Sequence, residues 1–273
     1  MSVLVNGAPI DPALAATRAL HYGDGVFRTM LVHGGKIDDA DGQWAHLARD
    51  AARLDLDLGD LAVLQHEAAE AIGSTSSGVL KVVLSRCAGA RGYVPATRAC
   101  DRLLFTYALP PVEASLWSTG VDVAWSKVLL GIQPLLAGVK HLNRLEQVLA
   151  SRDWPDGAAE RLLCDAEGRI VCGTRSNVFF VTDGALRTPD LSKAGVAGRM
   201  RHRIIELAAR EGIDCYVETV APDEVRHATE CFLTNSIIGV WPVRAIGGLG
   251  LPAPGPVTQR VMDALAHPFR GGA

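Results

Sequence analysis

One stretch of this 273-residue sequence guides the interpretation of the rest: residues 132–154, which read IQPLLAGVKHLNRLEQVLASRDW. Leu142, Leu145, Val148 and Leu149 recur at the three- and four-residue spacing of a helix with one apolar side. We therefore predict a helix within this stretch. A single lysine stands between that pattern and an apolar run, and its position calls for an explanation.

The lysine is Lys140, and Leu136, Val139 and Leu142 are its apolar neighbours in the sequence. A lysine shielded by such residues loses hydration, which favours the neutral amine. The neutral amine is the form that Schiff-base chemistry with an aldehyde requires. The alternative is an ordinary lysine whose stem lies on apolar surface while its ammonium stays in water. Spacing alone leaves both interpretations open.

The composition is that of an ordinary globular protein, with 48% apolar residues, 21% charged residues and a net charge of −3. This balance gives no electrostatic reason to expect nucleic acid or a membrane surface as a partner. No apolar run reaches the roughly 20 residues that span a bilayer, and no secretory signal is visible, so we expect a cytoplasmic protein. The six cysteines form no CxxC pair, so neither a metal site nor a disulfide framework is predicted.

The pattern of elements predicts two domains of mixed α+β and α/β character. A smaller α+β domain covers residues 1–108, and the proline-containing stretch LPPVE at 109–113 is the predicted linker. A larger domain covers residues 114–273 and carries Lys140.

Periodicity and turn signals predict the individual elements. We expect a strand over residues 3–5 with a hairpin turn at Asn6-Gly7, a helix from Gln43 capped by Asp41, and a surface loop at 247–255. The predicted helices cover residues 43–54, 61–72, 198–210 and 257–266, and the further predicted strands cover residues 26–32, 79–85, 103–108, 121–125, 161–164, 169–174, 178–181, 216–219 and 231–234.

Three separate segments could each bind an anion. Gly198 opens a helix rich in arginine, and the backbone N–H groups at such a start can hold a phosphate. Asn235 and Ser236 end an apolar strand with small polar groups, and Arg49 lies on the first long helix. Each has an ordinary alternative: a helix start, a strand-end turn and a solvated charge.

The segment SRCAGARGYVPATR, residues 85–98, has three arginines and one tyrosine, and it forms a predicted loop between two strands. Arginine forks match carboxylate geometry, so the loop could hold a substrate's carboxylates. An exposed hairpin loop with solvated charges is the other interpretation.

Together these segments resemble a known family. ALHYGDGVFRTM, HLARDAARLDLDL, GVKHLNRLEQVLA, DAEGRIVCGTRSNVFFV, AGVAGRMR and FLTNSIIGVWPV occur in the order found in fold-type IV pyridoxal-phosphate enzymes, which include branched-chain and D-amino-acid aminotransferases. Within that group, SRCAGARGY and KHLNRLEQ resemble the aminodeoxychorismate lyases. The resemblance covers nearly the whole chain and implies the two-domain fold of the D-amino-acid aminotransferases.

The resemblance also implies a cofactor, pyridoxal 5′-phosphate, and assigns residues to it. Lys140 would bind the cofactor covalently and act as the catalytic residue. The other implied cofactor ligands surround its phosphate and ring: Arg49, Cys172, Asn177, Gly198, Arg199, Met200, Asn235 and Ser236. For the substrate's carboxylates, the implied candidates are Arg28, Arg91, Tyr93, His141 and Asn143. The family further implies a homodimer whose active site lies near the subunit interface.

One position departs from the family pattern. An acidic residue usually precedes Gly-x-x-x-Asn and keeps the cofactor's pyridine nitrogen protonated, but Cys172 stands there in VCGTRSN. A thiol is a weak donor and holds that proton poorly. Asp165 and Glu167 are the nearest acids in the sequence, and whether either reaches the ring is left open.

The expected activity is that of an aminodeoxychorismate lyase, which forms 4-aminobenzoate and pyruvate on the way to folate. Its product is aromatic, so a weak electron sink is more tolerable than in a transamination. The alternatives are an aminotransferase acting on D-amino acids, branched-chain amino acids or amines, a pyridoxal-phosphate-binding homologue with little turnover, and a protein that binds no cofactor.

Overall fold

The computed structural model describes residues 4–5, 8–9, 17–89, 91–111, 113–152 and 154–271. Contacts within the chain divide it into two units. Unit 1 comprises Met1–Leu109 and Lys140–Asn143, and unit 2 comprises Pro110–Val139 and Arg144–Ala273. The sequence placed Lys140 in the C-terminal domain, but the structure groups it with unit 1, because the backbone of residues 140–142 pairs with a strand of that unit.

Unit 1 contains an antiparallel four-stranded sheet in the order β4-β3-β5-β6 and a two-stranded ladder of β1 and β2. The strands are β1 Leu4–Val5, β2 Ala8–Pro9, β3 Gly25–His33, β4 Lys36–Ile37, β5 Ser77–Arg86 and β6 Cys100–Tyr107. Within the described residues of this unit, the helices are α1 Arg18–Tyr22, α2 Ala40–Arg53 and α3 Leu61–Ile72. Strands β1 and β2 pair on either side of residues 6–7, but the predicted turn at Asn6-Gly7 lies outside the described residues.

Helix α3 shows why its sequence folds as predicted. Leu64, Ala68 and Ile72 recur every four residues and are buried, so they form one apolar face of the helix, which packs against β6. The Asp60 side chain caps the helix by accepting from the N–H of Ala62 over 2.8 Å. Helix α2 begins earlier than predicted: Asp39 occupies its N-cap and Asp41 lies in the first turn, so the expected cap at Asp41 is wrong.

Within the described residues, unit 2 is built around one mixed sheet of nine strands in the order β12-β11-β10-β13-β14-β7-β8-β9, with β15 paired to β14. The strands are β7 Val121–Trp125, β8 Ala158–Cys164, β9 Ile170–Gly173, β10 Asn177–Thr182, β11 Ala185–Pro189, β12 Cys215–Glu218, β13 Glu230–Asn235, β14 Gly239–Ile246 and β15 Leu249–Gly250. The helices are α4 Leu116–Thr119, α5 Leu145–Ala150, α6 Arg199–Glu211 and α7 Pro256–Leu265, with 3₁₀ turns at Pro222–His227 and Pro268–Gly271.

The core of unit 2 lies against its central strands. Phe179 of β10 and Phe232 of β13 are cross-strand partners, are fully buried and stack with ring centroids 4.9 Å apart. The turn between β10 and β11 is formed by Asp183 and Gly184, both with positive φ, as the predicted hairpin requires.

Two sequence predictions in unit 2 need correction. The loop expected at residues 247–255 contains a hairpin, because Gly247 and Gly248 adopt positive φ and turn β14 back onto β15. In addition, the sequence patterns predicted no strand where the structure has β11 and β14.

The helix predicted within residues 132–154 is short. Helix α5 covers only Leu145–Ala150, and the side chains of Leu145, Val148 and Leu149 are exposed. Leu142 precedes the helix and donates its N–H to the Gly25 carbonyl instead. A backbone that pairs with a strand cannot also form helical hydrogen bonds, so the apolar spacing was misleading here.

Within the described ranges, none of the helices combines the length and the apolar character that crossing a membrane would require.

Candidate active site

Lys140 lies on an extended segment beside β3 in unit 1. The N–H of Phe27 donates to the Lys140 carbonyl over 2.9 Å, and His141 bridges to Val26. The Lys140 side chain is half-buried, and its Nζ lies 4.6 Å from the centre of the Phe27 ring. Strand pairing therefore holds the backbone on the carbonyl side of the Lys140 Cα, and the side chain has an aromatic face beside its amine. The sequence did not single out Phe27.

Asp50 on α2 holds the backbone of Lys140 in place. Its carboxylate is 1% exposed, and Oδ2 accepts from the N–H of Lys140 over 3.1 Å and from Arg28 Nη2 over 2.5 Å. Burial lowers the pKa of Arg28, while the charge of Asp50 opposes that shift. This placement does not fit the predicted role of Arg28 as a substrate ligand, because its guanidinium is buried and paired with Asp50.

The other predicted ligands on this segment and on α2 are more exposed than Arg28. The Arg49 side chain is 46% exposed, and its Nη2 lies 3.8 Å from Asp50 Oδ1. Asn143 donates from Nδ2 to the Gly23 carbonyl over 3.1 Å, so its carboxamide supports the start of β3. Arg49 as a phosphate ligand and His141 and Asn143 as substrate ligands stay predictions.

The loop after β5 is held in place by two buried arginines. Arg18 and Arg86 both bind Asp24 Oδ2, over 2.7 and 3.0 Å. Arg18 also donates to the carbonyls of Gly92 and Tyr93, over 2.9 and 3.1 Å. Hydrogen bonds and ion pairs therefore fix the backbone of this loop. The sequence did not indicate the role of Arg18.

At the tip of this loop, the side chains of Arg91 and Tyr93 are exposed. Tyr93 contacts Tyr22 edge-on, with ring centroids 5.6 Å apart. Their exposure agrees with the hairpin interpretation and leaves the predicted carboxylate clamp as a prediction.

Cys172 lies in β9 of unit 2, inside an apolar cluster. The cluster consists of Leu130, Ala150, Leu163, Val171, Cys172, Leu191 and Ala194. Arg144 interacts electrostatically with Cys172. Burial lowers the pKa of the Arg144 guanidinium, and the interactions with Cys172 and then with Glu146 oppose that shift. The thiol therefore sits in an apolar setting with one cation nearby.

The two acids that the sequence left open are engaged elsewhere. Arg169 donates from Nε to Asp165 Oδ2 over 2.8 Å and pairs with Glu167 over 2.7 Å. Burial alone would raise the pKa of Asp165, but the hydrogen bonds from Arg169 and from backbone N–H groups outweigh it and lower the pKa. Neither carboxylate is a ready substitute for the acid that Cys172 replaces.

Asn177 and Gly198 are joined at the start of α6. Asn177 Oδ1 accepts from the N–H of Gly198 over 3.1 Å, and Nδ2 donates to the Val196 carbonyl over 2.9 Å. A Cβ at Gly198 would lie 2.4 Å from Asn177 Oδ1, so the position requires glycine. Arg199 and Met200 open the helix, where first-turn N–H groups lack acceptors within the helix and favour an anion.

Asn235 shapes the turn that follows β13. Its Oδ1 accepts from the N–H groups of Ile237 and Ile238, over 2.9 and 3.0 Å, and its Nδ2 donates to the Arg175 carbonyl over 3.2 Å. Ser236 is the first residue of that turn. The carboxamide of Asn235 thus builds the local backbone, and its predicted contact with a phosphate stays a prediction.

The residues fit the cofactor that the resemblance implies. Unit 1 provides a half-buried amine whose backbone is locked by Asp50. Unit 2 provides the start of a 13-residue helix whose glycine N-cap has no capping side chain, next to a buried asparagine. Each unit, taken by itself, thus contains a group of the kind that pyridoxal phosphate needs: an amine for its aldehyde in unit 1 and a helix start for its phosphate in unit 2.

The amino-transferase class IV family model matches residues 25–246, and the chain therefore belongs to this family. The resemblance to fold-type IV enzymes is thereby confirmed, and so is the predicted fold class.

Among its relatives, the aminodeoxychorismate lyase of Vibrio harveyi is 33% identical, over 89% of this chain and 90% of that protein. The D-alanine aminotransferase of Bacillus licheniformis is 26% identical, over 98% and 96%. The crystal structure of 4-amino-4-deoxychorismate lyase from Pseudomonas aeruginosa superposes with a TM-score of 0.89 at 38% identity, covering 98% of this chain and 99% of that one. The Escherichia coli branched-chain aminotransferase structure shares the fold, with a TM-score of 0.80 at 22% identity.

Proposed function

We propose that this protein is a pyridoxal-phosphate-dependent aminodeoxychorismate lyase that converts 4-amino-4-deoxychorismate into 4-aminobenzoate and pyruvate. The observation that carries the proposal is the likeness to the Pseudomonas aeruginosa lyase, which extends over 98% of this chain with 38% identity. The stretch KHLNRLEQ around Lys140 supports the same conclusion.

Pyridoxal phosphate, when bound, supplies an aldehyde that condenses with amines and a conjugated ring that accepts electrons. Lys140 would hold the aldehyde through its amine. The start of α6 at Gly198 would hold the phosphate together with Arg49, Asn235 and Ser236. In this assignment Cys172 would take the position beside the pyridine nitrogen.

Lys140 also moves the protons of the reaction. With the substrate bound, the Lys140 amine would remove the proton from the ring carbon that bears the nitrogen. The C–O bond to the enolpyruvyl group then breaks, and the lysine returns a proton to the departing enolpyruvate, which becomes pyruvate. The neighbouring Phe27 ring keeps water away from one side of the amine, and the bond from the Lys140 N–H to Asp50 fixes the point from which the side chain extends.

Cys172 favours elimination over transamination. A buried thiol at this position would donate only weakly to the ring nitrogen of a bound cofactor, which would make the ring a poorer electron sink than a carboxylate would. Elimination yields an aromatic ring, and this gain lowers the demand on the sink. Transamination has no comparable gain and depends on the sink throughout.

The test is an assay of purified protein with pyridoxal phosphate and 4-amino-4-deoxychorismate. We expect 4-aminobenzoate and pyruvate in equal amounts, and borohydride is expected to reduce the cofactor onto Lys140. No 4-aminobenzoate above that made by a Lys140→Ala control would overturn the proposal.

An aminotransferase is the second candidate, supported by the full-length likeness to a D-alanine aminotransferase. Incubation with pyruvate and D-amino acids, branched-chain amino acids or amines separates it from the lyase. A third candidate, a cofactor-binding protein without turnover, is supported by Cys172. It would show cofactor absorption but no product from any donor.

We further propose a homodimer, because unit 2 leaves a set of apolar side chains exposed. Leu145, Val148 and Leu149 lie on α5. Leu129 and Leu135 lie on either side of Gly131 in the sequence, and the N–H of Gly131 donates to Glu146 of that helix over 2.7 Å. The set consists of Leu129, Leu135, Leu145, Val148 and Leu149. A second copy of the chain would remove this surface from water. A cytoplasmic location stays a prediction from the sequence.

A further inference from the structure

A buried carboxylate in unit 2 has no place in the mechanism described above. Glu160 lies on β8 and is 1% exposed. A buried carboxylate is costly unless hydrogen bonds satisfy it, so its partners indicate what it does.

Those partners come from the turn between β9 and β10. Glu160 Oε1 accepts from the Thr174 N–H over 3.0 Å and from the Thr174 hydroxyl, and Oε2 accepts from the Ser176 hydroxyl over 2.8 Å. The N–H of Arg175 donates to Oε2 over 3.3 Å. One carboxylate thus binds three successive residues of the turn.

Glycine at position 173 makes room for this arrangement. A Cβ there would lie 2.2 Å from Ser176 Oγ and 2.8 Å from Glu160 Cγ. The Gly173 N–H also donates to the Ser176 carbonyl over 2.8 Å, which closes the turn. The turn and the carboxylate therefore form one packed assembly.

Both candidate phosphate segments of unit 2 are attached to this turn. Asn177 follows it directly and binds the Gly198 N–H at the start of α6. Asn235 donates to the Arg175 carbonyl in the middle of the turn. A shift of the turn would move Asn177 and release Asn235 together.

We propose that Glu160 is a positioning residue for the phosphate site: it holds the turn at residues 174–176, and through that turn it sets the positions of Asn177 at Gly198 and of Asn235. The inference rests on the proposed function, in which Gly198 and Asn235 receive the phosphate of pyridoxal phosphate. Glu160 acts through the turn and does not touch the cofactor.

The experiment compares Glu160→Gln with wild type for two ligands, pyridoxal phosphate and pyridoxal, which lacks the phosphate. Glutamine keeps the shape but presents an amide NH₂ to donors of the turn. We expect affinity for pyridoxal phosphate to fall by about tenfold. Reductive labelling of Lys140 by pyridoxal should change by less than about twofold, because that reaction does not use the phosphate site.

Glu230→Gln is the matched control. Glu230 is a second buried glutamate of unit 2, 3% exposed, and it accepts from the N–H groups of Val257 and Thr258, over 3.0 and 2.7 Å, at the start of α7. Loss of the Glu230 carboxylate should lower thermal stability. It should leave both the affinity for pyridoxal phosphate and the labelling by pyridoxal as they are in wild type. Equal losses for both ligands in Glu160→Gln, or no loss, would overturn the proposal.

A second variant covers the case in which Glu160→Gln does not fold. Ser176→Ala removes one hydroxyl donor and keeps the carboxylate, and it should lower pyridoxal-phosphate affinity by about threefold without affecting pyridoxal labelling. An unchanged ratio in a folded Ser176→Ala protein would also count against the role of Glu160. Wild-type protein that binds pyridoxal phosphate but forms no 4-aminobenzoate would overturn the lyase activity alone and leave the Glu160 result standing.

Discussion

The backbone N–H of Lys140 and the carboxylate of Asp50 are hydrogen-bonded, and the same oxygen of Asp50 accepts from Arg28. A residue 90 positions earlier in the chain thus fixes the backbone from which the candidate catalytic amine extends. Two predictions about Arg28 and Asp50 follow from the cost of separating a buried pair, and both are measured in the same experiment.

Replacing Asp50 with alanine should lower the free energy of unfolding by about 3 kcal/mol, because it leaves the buried Arg28 cation without its counter-charge. The double variant Arg28→Met/Asp50→Leu should recover at least half of that loss, since both charges leave together. Urea denaturation measures both. Glu67→Gln, which affects a more exposed pair with Arg102, is the control and should cost less. A double variant no more stable than Asp50→Ala would contradict this account.

Cys172→Glu should strengthen the electron sink, because a carboxylate would hold the proton on the pyridine nitrogen. We expect a changed absorption spectrum across pH and amino-acid half-reactions at least about tenfold faster than in wild type. Stopped-flow absorbance with D-alanine and with branched-chain amino acids measures them. Cys172→Ser retains a weak hydroxyl donor and should behave like wild type. If Cys172→Glu leaves both spectrum and half-reactions unchanged, the thiol does not limit the sink.

Gly198→Ala should weaken cofactor binding. The added methyl group would meet Asn177 Oδ1 at 2.4 Å and push it away from the start of α6. We expect the dissociation constant for pyridoxal phosphate to rise by about tenfold, which fluorescence titration of the apoprotein measures. Gly250→Ala, where nothing lies within 4 Å of the new methyl group, is the control. Unchanged affinity in Gly198→Ala would place the phosphate elsewhere.

Asp165 should contribute to stability at neutral pH and lose that contribution in acid. Its pKa in the folded protein is lowered by Arg169 and backbone N–H groups, which outweigh burial, so unfolding takes up a proton as the pH falls. The contribution is present above the unfolded pKa of about 4 and disappears as the pH drops through the folded pKa. Asp165→Asn should therefore destabilise the protein at pH 7 more than at pH 2.5, as measured by urea midpoints. The exposed turn residue Asp183 serves as control in Asp183→Asn, and equal losses at both pH values would refute the assignment.

Leu145→Asp should shift the protein from dimer to monomer. The Leu145 side chain is 75% exposed on α5, and burying an aspartate in a subunit interface is unfavourable. Sedimentation velocity at several concentrations measures the mass. Val63→Asp, which changes an exposed apolar residue on α3 of unit 1, should leave it unchanged. A monomeric wild type, or a dimer in which Leu145→Asp has no effect, would exclude this surface as the interface.

Local patterns in the sequence predicted a helix or turn correctly where residues close in sequence stabilise that element. Helix α3 begins and ends as predicted at Leu61 and Ile72, because its cap and its apolar face lie within the same few turns. The start of α6 at Gly198 and the turn at Asp183-Gly184 were predicted for the same reason. The order of motifs along the chain indicated the family and singled out Lys140, which no local spacing could have done.

The tertiary structure decided what depends on partners far apart in the chain. Pairing with β3 keeps residues 140–142 extended, although the apolar spacing predicted a helix that includes Leu142. The sequence alone gave no reason to single out Asp50 or Glu160. Their importance arises because each carboxylate is buried and is satisfied only by groups that folding brings to it, one at the backbone of Lys140 and the other at the turn before Asn177.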